Sequence, residues 1–238
     1  MRFLAGILAV FSAILSGGVF ARPVSFTNEV MAVLSKSGCN AGGCHGNQDG
    51  KGSFKLSLWG DDPAADYQAL LDSGKRVNRG DPLASRILRK PTLQVEHEGN
   101  KRFEVDSMEY RILQDWIEGG AVNDRDDAPS LRSISVSPAY TILTAPRDSV
   151  PLSVEAVFSD GMKRDVTRWA LFESSSLEAE VTSEGRLTFM QPGETTVFVR
   201  YLGARSSMRA GMIDAREDFK WRGPQPSNGI DDHVFAKL

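Results

Sequence analysis

The chain has 238 residues, enough for two ordinary domains. Hydrophobic residues make up 41% and charged residues 25%, close to globular averages, which excludes a wholly disordered chain. A net charge of -3 with both signs interspersed excludes a phosphate-backbone binder, which needs a basic face, so no nucleic-acid partner is expected.

The N-terminus reads as a secretory signal peptide over residues 1–21. Arg2 supplies the positive charge, Phe3 to Phe20 is mostly apolar, and Val19-Phe20-Ala21 gives a cleavage pattern before Arg22-Pro23. A membrane anchor is the rival reading, since the run is near the lower length limit for a span. Gly17-Gly18 and the cleavage pattern favour removal, and no later stretch is apolar enough to cross a bilayer. The mature chain is therefore expected to have no stable membrane span.

Ser25 is placed to cap a short helix with Phe26, Val30, Val33 and Leu34 on one face. That helix runs into Gly38 and a Gly-rich stretch up to Gly52. Asp62-Pro63 and Asp81-Pro82 each read as an N-cap followed by proline at the first helical position. Ser107 caps a last helix carrying Tyr110, Leu113, Trp116 and Ile117, which Gly119-Gly120 closes. Residues 24–122 thus predict a small all-α domain, and the polar segment 123–130 a linker.

Beyond it the period changes. Ile134 and Val136, then Leu152, Val154, Ala156 and Phe158, alternate with polar residues as half-buried strands do. Turn signals at Ser159-Asp-Gly161, Ser183-Glu-Gly185 and Pro192-Gly193 separate further short strands. Residues 131–213 predict an all-β sandwich. Residues 214–238 form a charged, Gly- and Pro-containing tail.

The chemistry sits in Cys39-Asn-Ala-Gly-Gly-Cys44-His45. Haem c is held by two Cys thioethers, with the following His on the iron, usually as C-x-x-C-H. Here four residues separate the cysteines, the longer and less common form. Gly42 and Gly43 let backbone pass close to a porphyrin edge. Two other readings stand beside it: a Cys39–Cys44 disulfide with a solvated His45, and a structural zinc, which needs about four ligands. An electron carrier also needs a distal iron ligand. His97, in the loop Val95-Glu-His-Glu-Gly-Asn100, and Met108 beside the Ser107 cap are the candidates, and the loop position favours His97.

Phe26 to Ala121 resembles the N-terminal cytochrome c-like domain of large exported planctomycete proteins. The matching stretches are Gly-Cys-Asn-Ala-Gly-Gly-Cys-His-Gly (38–46), Gly-Ser-Phe-Lys-Leu-Ser-Leu-Trp-Gly (52–60), Asp-Pro-Ala-Ala-Asp-Tyr (62–67), Ser-Arg-Ile-Leu-Arg-Lys-Pro-Thr (85–92) and Trp-Ile-Glu-Gly-Gly (116–120). The resemblance implies covalent haem on Cys39 and Cys44, His45 as proximal and His97 as distal iron ligand. Glu96 stands where the family usually has proline. Residues 131–213 resemble a bacterial Ig-like domain of group 2, most specifically over Phe158 to Ala170, which implies an adhesive or spacing module. Ile230 to Leu238 resembles the first residues of a further domain, which implies a truncated chain. The expectation is a non-enzymatic electron-transfer protein of the periplasm or cell surface, although a further C-terminal domain could be catalytic. Its partners would be redox proteins and, through the Ig-like part, a surface polymer or protein. The alternative is a non-haem adhesion or carbohydrate-binding module with a Cys39–Cys44 disulfide.

Overall fold

The computed structural model describes residues 22–216, 218, 220 and 223–236, so the expected signal peptide lies outside the described residues. A turn of π-helix (Phe26–Val30), capped by the Ser25 hydroxyl on the Asn28 N–H, runs into α1 (Met31–Lys36). Helices α2 (Pro63–Leu71), α3 (Arg86–Arg89) and α4 (Met108–Glu118) follow. Asp62 caps α2 and Ser107 caps α4, each accepting from a first-turn N–H. Asp81-Pro82 opens only a single 3₁₀ turn, Pro82–Ala84.

Aromatic side chains make the core of this part. Phe26 packs edge-on to Tyr67 at 5.1 Å and lies 5.3 Å from Trp116. The polar tips are satisfied, because the Tyr67 hydroxyl donates to the Ala121 carbonyl and the Trp116 indole N–H to the Val122 carbonyl.

Ten strands follow: β1 (Leu131–Ser137), β2 (Tyr140–Thr144), β3 (Ser149–Pro151), β4 (Ser153–Phe158), β5 (Lys163–Asp165), β6 (Leu171–Ser174), β7 (Ala179–Val181), β8 (Arg186–Phe189), β9 (Gly193–Tyr201) and β10 (Ala204–Ile213). They form sheets in the orders β1-β4-β5, β2-β10-β9-β6 and β3-β8-β7. The β9–β10 hairpin is antiparallel from Tyr201 opposite Ala204 to Gly193 opposite Met212. Strand β2 runs parallel along the other edge of β10. Alternation puts Val197, Val199 and Tyr201 of β9 inward. A short helix α5 (Gly229–Phe235), capped by Asn228, ends the described chain. Among the described residues no helix is long and apolar enough to cross a membrane.

This corrects the expected fold class. The described chain carries ten strands against five short α-helices, the longest of 11 residues, so residues 24–122 are not a small all-α cytochrome c-like domain. The cause is local. Positive φ at Gly38, Gly50, Gly52, Ser53, Trp59 and Gly60 breaks any helix between α1 and α2, leaving turns. Nor is the second part a two-layered Ig-like sandwich. Strands β3, β5 and β7 have three residues each, and the ten strands fall into three small sheets, with the turns at Gly161 and Gly185 closing the β4–β5 and β7–β8 hairpins inside two of them.

The helical and β-rich parts are packed together. Trp169 and Leu202 lie against both hydrophobic cores, and Ala32 of α1 is buried in the β-side core. The Lys36 ammonium donates to the carbonyls of Ala170 (2.6 Å) and Ser183 (2.5 Å), and burial pushes its pKa down. Residues 123–130 are tied to the π-turn, since the Thr27 N–H donates to Asp124 and the Asn28 amide to the Pro129 carbonyl, both at 3.0 Å. The Tyr201 hydroxyl donates to the Asn28 carbonyl at 3.2 Å.

Burial pushes the Tyr201 phenol up to about 12 from 10.0. Between those values the unfolded chain has released the proton and the folded chain keeps it, so stability falls as pH rises. Denaturant titrations from pH 9 to pH 12 should show this fall reduced by about 2–3 kcal/mol in Tyr201→Phe. Equal slopes in the two proteins would mean that the phenol is solvated.

Candidate functional site

Helix α1 delivers the first cysteine. The Cys39 N–H donates to Leu34 O at 2.9 Å, after Gly38 has turned the chain at φ +71°. The loop then closes on itself: Ala41 N–H donates to Gly38 O, Cys44 N–H to Ala41 O, and His45 N–H to Cys39 O at 3.0 Å. Asn40 is fully buried inside it, donating to the Ser35 hydroxyl at 2.9 Å while its carbonyl accepts from Trp59 N–H at 3.0 Å. Gly46 is required by space, because any Cβ there would collide with the Asn40 carbonyl.

The His45 ring rests on a second small platform, where Lys51 and Phe54 pair as an isolated bridge. Its Nδ1 lies 3.1 Å from both the Lys51 and the Phe54 carbonyl. A carbonyl only accepts, so Nδ1 carries the hydrogen and the Nε2 lone pair is left for a ligand. Burial, above all, holds the His45 pKa below the usual imidazole value, against the pull of those two carbonyls. The neutral, ligating form is favoured. The Phe54 ring packs 4.7 Å from the imidazole, and the Arg76 guanidinium lies 4.6 Å from the Phe54 ring.

His97 is held in the same manner. Its Nδ1 lies 2.8 Å from the Asn100 carbonyl, so its Nε2 also has a lone pair available. Gly99 makes room for this ring, since a Cβ there would lie 2.8 Å from His97 Cε1. The two rings stand 6.5 Å apart between centroids, with planes 12° from parallel. Met108, by contrast, opens α4 with 50% of its surface exposed.

Both cysteines are free and half-buried. Burial pushes the Cys39 thiol up to about 12, although Arg102 pulls the other way. The Arg102 guanidinium donates to Cys44 Sγ at 3.3 Å. Of the residues expected at the site, Cys39, Cys44 and His45 share one loop and His97 faces His45. Sequence reading missed Arg102, Gly99, and the carbonyls of Lys51, Phe54 and Asn100. A lone arginine 58 residues from Cys44 carries no sequence signal, and backbone acceptors carry none at all.

The donor set can be tested against the group that the spacing suggests. The stacked imidazoles of His45 and His97 set two nitrogen donors side by side, with the cysteine loop next to them. The two thiols, unpaired on the loop that ends in His45, are those that two vinyl groups would require. Among the described residues no three His, Cys, Asp or Glu side chains converge as a bare-ion site.

No family model and no curated protein matches the chain. Among solved structures, domains 1–6 of the surface layer protein SbsC match at 13% identity and a TM-score of 0.31, over 37% of this chain and 14% of that one. Domains 5–6 of SbsC match at 14% identity and 0.30, over 36% and 45%. An endo-beta-1,4-mannanase from Thermotoga petrophila matches at 14% identity and 0.22, over 51% and 27%. The chain thus spans well under two thirds of each of these structures, and scores this low assign neither fold nor activity.

The closed loop makes a direct prediction. Gly46→Ala should lower stability by about 1–3 kcal/mol, because the Asn40 carbonyl has to move. Gly43→Ala, with nothing within 4 Å of its new methyl, should stay within about 0.5 kcal/mol of the parent. Thermal unfolding of both variants checks the contrast, and equal effects would mean that the loop is not closed as described.

Proposed function

We propose that this chain is an exported electron-transfer protein of the c-type cytochrome kind, carrying haem c. Cys39 and Cys44 would hold the haem through thioethers, and His45 and His97 would hold its iron. The observation that carries the reading is the facing pair of imidazoles, each with Nδ1–H on a backbone carbonyl and Nε2 free. The apolar run from Phe3 to Phe20 supports export, to the periplasm or the cell surface. Redox proteins are the proposed partners, and the β-rich part is proposed to bind a surface polymer or protein.

When bound, the haem supplies one-electron redox chemistry. The chain's own residues do the rest. The carbonyls of Lys51, Phe54 and Asn100 orient the two imidazoles and strengthen them as donors. A second imidazole in place of methionine lowers the reduction potential. His45 and His97 together would leave the iron no place for a small ligand, which would favour electron transfer over oxygen chemistry. The Arg102 cation lies beside Cys44, at the same edge of the site.

The test is an absorption spectrum and an intact mass of the protein matured with haem-attachment machinery. One covalent haem and a low-spin, six-coordinate spectrum are expected. His97→Ala should give a high-spin spectrum and admit carbon monoxide with the haem still attached. Met108→Ala should leave the spectrum unchanged. A Cys39–Cys44 disulfide without haem would overturn the reading.

A further inference from the structure

Two hollows of the described surface differ in charge. The larger, of about 690 Å³, lies between the helical and β-rich parts, and its charges are balanced. Lys36, Arg102 and Arg168 face Glu109, Asp165 and Glu184, and Arg168 pairs with Glu109 at 3.0 Å. The smaller, of about 570 Å³, is different. Lys75, Arg86, Arg89 and Lys90 line it against the single carboxylate of Glu96. None of the four cations forms an ion pair among the described residues. A chain of net charge -3 has concentrated positive charge in one place.

The place is close to the candidate site. Val95 and Glu96 of the lining directly precede His97. Lys90 is near enough to His45 for its charge to bear on that imidazole. Size decides between kinds of anion. A water occupies about 30 Å³ and an inorganic phosphate only a few times that, so a small anion would fill a minor part of the hollow. Ala84 and Val95 add apolar surface beside the cations. A rim of charge around a partly apolar depression is what another protein's surface can cover.

We propose that the hollow lined by Lys75, Arg86, Arg89 and Lys90 docks the acidic face of a partner protein beside the His97 loop. Taking that partner to be a redox protein rests on the reading under Proposed function. Docking there would bring it beside His97, which would hold the iron that exchanges the electron, and opposite charges would speed the encounter.

The probe is a fluorescein-labelled decaglutamate peptide, titrated into the purified mature chain and followed by anisotropy. Binding should weaken about tenfold as salt rises from 20 to 200 mM. Lys75→Glu/Arg86→Glu should lose at least about tenfold in affinity. Arg205→Glu/Arg209→Glu on β10 changes the net charge equally and should bind like the parent. Both pairs are exposed, and matching thermal unfolding confirms their folds. The gentler Arg86→Gln/Lys90→Gln gives an intermediate loss and serves if charge reversal unfolds the chain. Equal affinities across all the proteins overturn the docking surface. So does inorganic pyrophosphate binding in the hollow while the peptide does not. Cation-dependent peptide binding by a protein without haem would keep the docking face and remove the redox reading. A normal haem spectrum without peptide binding would remove the docking face alone.

Discussion

A backbone carbonyl cannot donate, and from that constraint most of the site's chemistry follows. Lys51, Phe54 and Asn100 present carbonyls to the Nδ1 atoms of two histidines, and those acceptors select one tautomer at each ring. The surrounding structure exists to hold those acceptors in place. The Lys51–Phe54 bridge fixes two of them, and Arg76 over the Phe54 ring braces that bridge. The loop from Cys39 to His45 closes through its own hydrogen bonds around a buried Asn40. Glycine at 46 and 99 leaves the space that a methyl group would fill.

The β-rich part contributes to the same end. Helix α1 feeds the cysteine loop, and its last residue, Lys36, is anchored by two carbonyls of the β side. Glu109 in the first turn of α4 is paired with Arg168. With Trp169 and Leu202 shared between the cores, the β-rich part acts as a buttress for the helices around the site. Residues 123–130 are held to the π-turn through the Asp124 side chain and the Pro129 carbonyl.

Electrostatics divides the surface into two kinds of hollow. Between the two parts, charges of both signs face one another and stabilise the junction. Beside the His97 loop, four cations form no ion pair among the described residues.

Much of the local structure was legible in the residues. Ser25, Asp62 and Ser107 cap helices because their side chains accept from N–H groups within three residues. The turns at Gly161 and Gly185 follow from positive φ, and the inward faces of β4 and β9 follow from alternation. Cys39, Cys44 and His45 are neighbours by spacing alone. These are interactions between residues a few positions apart, and local rules suffice for them. The fold class was misjudged because helix caps and turn signals locate elements but do not set their length, their number of sheets or their layering. That His97 rather than Met108 stands against His45, that Arg102 reaches Cys44, and that Trp169 belongs to two cores are matters of segments some 50 or more residues apart. Tertiary packing alone decided them, since burying the aromatic and β-side cores together sets which loops meet.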